Sequence, residues 1–295
     1  MALRIAIGSN QEKFMDQSSD AGRTVANYLY FRHTLPVRVM HWINVIALTI
    51  LLMSGLNIFS AHPALYWGKS SYTGRPPVLE IESVTDASDR VTGVTRIFGH
   101  EFVTTGLLGA SEGPNGNLVG RTFPSWLTIP DGRWLAMARQ WHLFFAWIFV
   151  INGLCYVVYS ILSRHLARDL APTGTELRSI RESVIDHLHF RHHSGEASKR
   201  YNVLQKLTYL IVIFVLLPLV ILMGLAMSPG FDTLWPGWVD IFGGRQSART
   251  IHFIAAWLLV AFVLIHVFEV IITGLWNNLR SMITGRYRVE AEVSK

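Results

Sequence analysis

The 295-residue chain has one cysteine, Cys155. That scarcity excludes a disulfide framework, a zinc cluster, a cysteine-ligated iron–sulfur centre and the CxxCH attachment of a c-type haem. Charge is also scarce: Asp, Glu, Lys and Arg make up 16% of the residues, against 51% hydrophobic ones. With a mean hydropathy of +0.32, this balance places the chain among membrane proteins. The net charge of +6 therefore sits on an apolar chain, whereas a nucleic-acid binder would pair it with a polar surface. The first 26 residues contain no basic leader, apolar core and small-residue cleavage site, so removal of a signal peptide is not expected. No nucleotide-binding glycine loop is present, since Gly106-Leu-Leu-Gly109 has the wrong spacing. No Ser/His/Asp frame is recognisable either.

Long apolar stretches account for the composition. No charged residue occurs between Arg38 and Lys69, and residues 39–59 are enough to cross roughly 30 Å of hydrocarbon as a helix. Residues 140–163, 207–227 and 250–268 repeat the pattern, the last continuing past Glu269 to about Trp276. The pattern predicts an all-α four-helix membrane bundle, its third span kinked at Pro218. Four spans put both termini on one side. The segments on that side carry 17 lysines and arginines against nine on the other, which predicts cytoplasmic termini. The expected division is a cytoplasmic segment 1–36, a transmembrane domain 37–279 and a cytoplasmic tail 280–295, with an exoplasmic loop over 61–132 and a cytoplasmic loop over 164–202. The exoplasmic loop holds the strand-like Val78-Leu-Glu-Ile-Glu82 and the turn-rich Gly74-Arg-Pro-Pro77 and Gly113-Pro-Asn-Gly-Asn117. A small cap or docking surface is expected there.

Histidine, by contrast, is plentiful, with twelve in the chain. Four fall in the spans: His41 in the first, His142 in the second, and His252 and His266 in the fourth. One such histidine reads equally well as a helix–helix hydrogen bond, but four together carry more. A spacing of 14 residues returns His252 and His266 to within roughly 40° of one face, about 21 Å apart along the axis. Because the spans alternate in direction, His41 and His266 lie at one depth, and His142 and His252 at the other. Two planar cofactors, each held by imidazoles from facing helices, use all four residues. Gly55, 14 residues after His41, and Gly153, 11 after His142, lie level with the opposite pairs, where a macrocycle pressing on a helix needs a missing side chain. Ordinary small-residue packing explains either glycine alone.

Arg32-His-Thr-Leu-Pro-Val-Arg-Val-Met-His-Trp42, Gln140-Trp-His142 at the head of the second span and the His252/His266 pair resemble the bacterial cytochrome b-561 and hydrogenase-type superfamily. Its members include membrane cytochrome b subunits of nickel–iron hydrogenases, formate dehydrogenases and thiosulfate-reductase-like systems. The resemblance covers all four spans, about half the chain. The one, one, none, two distribution of histidines separates it from ferric reductases, which place two spaced histidines on each of two helices. It implies two b haems, the cytoplasmic-side one ligated by His41 and His266 and the exoplasmic-side one by His142 and His252. The implied activity is electron transfer between the quinone pool and a periplasmic redox partner, a molybdenum oxidoreductase or hydrogenase, in a bacterial inner membrane. The first loop is longer than in compact members, which leaves the partner's identity open.

Other residues carry weaker expectations. Arg38 and Arg139 each precede a span histidine by three residues and could pair with haem propionates, or anchor the membrane boundary. Glu269 is the sole acid in the spans and a candidate proton acceptor for quinone chemistry, unless it is only a helix-end residue. The loop histidines His187, His189, His192 and His193 read as a solvated basic loop rather than a metal site, and Trp67, Trp126 and Trp134 as interfacial aromatics. Two other classes stay open: a self-contained oxidoreductase such as a superoxide:quinone oxidoreductase, and a mainly anchoring subunit.

Overall fold

A computed structural model describes residues 23–72, 74–188 and 202–294. Four of its helices are long and apolar enough to cross a membrane: α1 (Leu35–Ser60), α2 (Leu135–Leu162), α5 (Val203–Ala226) and α7 (Arg245–Ile272). Shorter helices lie between and after them: α3 (Gly174–Arg178), α4 (Ile180–Leu188), α6 (Pro229–Leu234) and α8 (Leu275–Thr284). The spans turn apolar side chains outward, with Leu143, Phe144, Trp147, Leu154 and Ile161 all exposed on α2. Their buried residues include Ser54, Asn57, Asn152, Ser160 and Thr250. Such an arrangement suits a hydrocarbon solvent, in which association rests on close packing and interhelical hydrogen bonds. Asn152 Nδ2 donates to the Met40 carbonyl at 2.9 Å and to Asn44 Oδ1 at 2.7 Å, joining α2 to α1.

The all-α expectation is corrected outside the spans. The long loop folds into an antiparallel sheet of β2 (Ala64–Leu65), β3 (Leu79–Thr85), β4 (Val91–Ile97) and β5 (His100–Val103), in that order, with a further pair β6 (Ala110–Glu112) and β7 (Leu118–Gly120). The alternation in 78–82 becomes β3: Ile81 is buried while Glu80 and Glu82 reach Arg96 on β4. Leu56 and Phe59 of α1 pack with Leu65, Ile81 and Phe123 in one buried cluster, with Phe253 of α7 against it. The cap thus shares a core with the ends of two spans. Strand β1 (Arg23–Phe31) pairs with β8 (Arg286–Ser294) in antiparallel register, a pairing across the whole chain that local pattern does not reveal.

Two helix details depart from expectation or refine it. The fourth span ends at Ile272 rather than near Trp276. Thr273 Oγ1 bonds back to the Glu269 carbonyl at 2.6 Å, and Gly274 takes φ +106°, a left-handed stop that glycine adopts without penalty. Trp276 consequently lies in α8. In the third span Pro218 is preceded by a π turn at Val212–Leu216. Proline offers no N–H to the carbonyl one turn back, and a widened turn is one way a helix absorbs that loss.

Contacts divide the chain into two compact units, one over 39–164 and 209–266 and the other formed by described parts of 1–38, 165–208 and 267–295. The first contains the cap and all four span histidines. The second holds the β1/β8 pair and the Glu176–Lys206 ion pair, with Nζ 2.8 Å from Oε1.

Candidate metal centres

The structure brings the four span histidines together in the expected pairs. His41, in the second turn of α1, faces His266 near the end of α7, with ring centres 6.4 Å apart. His142, early in α2, faces His252, early in α7, at 6.3 Å. Two imidazoles that each bind one metal at about 2.0–2.1 Å from opposite sides have ring centres roughly 6 Å apart. The observed separations therefore leave room for one metal ion per pair. Among the described residues no group of three or more His, Cys, Asp or Glu side chains could hold a metal. A bare zinc site is thereby disfavoured, and the pairs suit a metal whose other four ligands come from a macrocycle.

The surroundings of the second pair also suit ligation. His142 Nδ1 donates to the Leu51 carbonyl at 3.1 Å, and His252 Nδ1 to the Val220 carbonyl at 2.8 Å. Each bond sets the ring orientation and leaves Nε2 as the nitrogen with a free lone pair, as in histidine metal ligands generally. In the first pair, His41 Nδ1 is a buried polar atom with no hydrogen-bond partner.

Both expected glycines bear on this geometry. A Cβ on Gly55 would stand 3.3 Å from His142 Cε1, and one on Gly153 would meet nothing within 4 Å. Gly55 is therefore pressed against the second pair. Gly153 faces open space beside Asn152, which bonds the residue preceding His41. Sequence reasoning missed Gly224, whose added Cβ would lie 3.6 Å from His252 Cε1. It is the one glycine in a span with no histidine, and that was the available signal.

The remaining candidates are placed as follows. Arg38 donates to the Ile283 carbonyl, and its Nε is buried without a partner. Arg139 is exposed. Glu269 is half-buried in the last turn of α7. His189, His192 and His193 lie outside the described residues, and His187 falls within α4. At the end of α1, His62 contacts Tyr72 Oη through Nδ1 at 3.2 Å and Ser71 Oγ through Nε2 at 3.4 Å. Burial and the nearby Arg249 guanidinium hold this imidazole below its usual pKa, with Glu80 opposing, which favours the neutral ring.

Four apolar helices carrying two facing imidazole pairs define a membrane cytochrome of the b type. The chain belongs to the prokaryotic cytochrome b561 family, whose model matches residues 32–285, and this family implies haem b. A putative protein-methionine-sulfoxide reductase subunit YedZ1 of Azospira oryzae is 28% identical over 257 residues, covering 87% of this chain and 98% of that protein. A probable Ni/Fe-hydrogenase B-type cytochrome subunit of Cupriavidus necator is 26% identical over 157 residues, 49% of this chain and 64% of the relative. No solved structure matches the chain.

Proposed function

We propose that this protein is a dihaem cytochrome b that carries electrons between the quinone pool and a soluble redox partner on the outer face of a bacterial inner membrane. The observation that carries the reading is the pair of imidazole pairs, 6.4 Å and 6.3 Å between ring centres, at the two ends of α7. Haem supplies reversible one-electron chemistry at iron, and the protein sets its ligation, dielectric and proton access. His41 and His266 hold one group on the cytoplasmic side, and His142 and His252 hold the other on the cap side. Gly55 and Gly153 admit the macrocycles, and Arg38 and Arg139 pair with their propionates. Quinone reduction takes two electrons and two protons, and Glu269, one turn beyond His266, is the acid placed to pass protons from the cytoplasm.

The partner is a molybdenum oxidoreductase or a hydrogenase. The two relatives support a partnered role, since one is named as a reductase subunit and the other as a hydrogenase cytochrome subunit. Purification of the chain with co-purifying subunits, followed by the pyridine haemochrome spectrum, tests the reading. Two b haems per chain are expected, and a preparation without haem, or with a c-type spectrum, would end it.

A further inference from the structure

Arg249 carries a charge that no acid among the described residues pairs with. It stands three residues before His252 on α7, on the same side of the helix and about 4.5 Å nearer its start. Its guanidinium donates to the carbonyl of His62 and, at 3.0 Å, to that of Ala64. The central carbon lies 5.4 Å from the centre of the Phe59 ring. Two backbone carbonyls and a phenyl ring carry no charge. Glu80, the acid that acts on His62, is bonded to Arg96 at 3.1 Å. Two of the five guanidinium N–H donors account for the two carbonyl bonds. A half-buried guanidinium without a counter-charge at the edge of a hydrocarbon slab is costly, and its chemistry calls for a carboxylate or phosphate in a planar, two-point contact.

We propose that Arg249 is the counter-charge for a carboxylate on the rim of the macrocycle held by His142 and His252, a haem propionate, and that it ties this cofactor to the first loop of the cap. The inference rests on the haem reading above. The tie is continuous along the chain. Thr250 Oγ1 donates to the Tyr66 carbonyl at 2.7 Å, and the Gly68 N–H donates to Ser247 Oγ at 2.8 Å. Residues 62–68 are thereby laced to the first turns of α7, with Arg249 in the lacing. The other source of the same anionic chemistry is a phospholipid headgroup.

Arg249→Gln and Arg249→Lys in the full-length, haem-loaded protein separate these sources. Each variant is reconstituted in discs of neutral phosphatidylcholine and in discs containing anionic phosphatidylglycerol. Optical redox titration then follows the haem signal that disappears in His252→Ala. A fixed positive charge beside the cofactor favours the ferrous form. At the potential where the wild-type haem is half reduced, the reduced-to-oxidised ratio should fall roughly fivefold or more in the Gln variant in both lipids. In the Lys variant it should stay within about twofold of wild type, because the charge is kept. An unmoved ratio in the Gln variant overturns the proposal, and so does a shift confined to anionic discs, which assigns the guanidinium to a headgroup. If the Gln variant loses that haem, the Lys variant decides: haem and potential retained support the counter-charge, whereas loss of the haem there too reduces Arg249 to a clamp on the loop carbonyls. A wild type that binds no haem would instead sink the underlying reading.

Discussion

One imidazole per pair decides whether that pair can hold iron. His252 supplies half of the 6.3 Å pair, so His252→Ala should remove one of two haems and halve the pyridine haemochrome yield per protein. Yield unchanged from wild type would place the second cofactor elsewhere. Glu269 is a harder case, because it is half-buried near the end of a helix and a bystander would look the same. Glu269→Gln keeps the shape and removes the ionisable proton. Reoxidation of the reduced protein by a water-soluble quinone should therefore slow about 10- to 100-fold in stopped flow, with both haem spectra intact. Equal rates at every pH would leave Glu269 as a helix-end residue. The two histidine pairs were legible at this scale because a histidine in hydrocarbon is expensive and helical periodicity gives its face and its position along the span. Gly224 and Arg249 were not, since their meaning depends on the facing side chain.

Helix contacts carry the next set of constraints. An added Cβ at Gly55 would reach within 3.3 Å of the His142 ring, so Gly55→Leu should displace that imidazole and lose the second haem while keeping the first, read as a halved haem content. Retention of both haems would show that α1 can yield there. The short helix α3 is fastened by another contact. Lys206, buried at the start of α5, bonds the Glu176 carboxylate at 2.8 and 3.0 Å. That bond and the Thr173 backbone N–H hold the carboxyl below its usual pKa. A depressed folded pKa contributes stability that is full above the unfolded value and lost as pH falls through the folded one. Glu176→Gln should thus cost about 1–3 kcal/mol at neutral pH, and the gap should close as the solution is acidified below about pH 4. Melting curves from pH 3 to 7 would check this, and a gap constant over that range would break the link. The spans were readable from length and composition, but their ends were not. The stop at Gly274 and the π turn before Pro218 depend on backbone hydrogen bonding, which hydropathy does not encode.

At the scale of the whole molecule the open question is which side of the membrane the cap faces. The charge asymmetry of 17 to nine predicts that a cysteine at Ser88, in a Cys155→Ser background, reacts with an impermeant maleimide in intact cells, and that one at Ser194 does not. The reverse pattern would put the cap and its partner in the cytoplasm. Ser88 lies in the exposed turn between β3 and β4, where its backbone N–H bonds Asp86 at 2.8 Å, so labelling there reports membrane side rather than burial. What the sequence by itself determined was the apolar surroundings, the number of spans and which span histidines face each other. These are one-dimensional properties: apolar length measures the bilayer, and periodicity assigns faces. Only the tertiary structure decided that the long loop is a sheet sharing a core with α1 and α7, that β1 pairs with β8, and that Arg249 bonds backbone carbonyls. Those features join residues up to about 270 positions apart, and such partners are selected by packing and hydrogen-bond satisfaction in three dimensions, which local sequence cannot express.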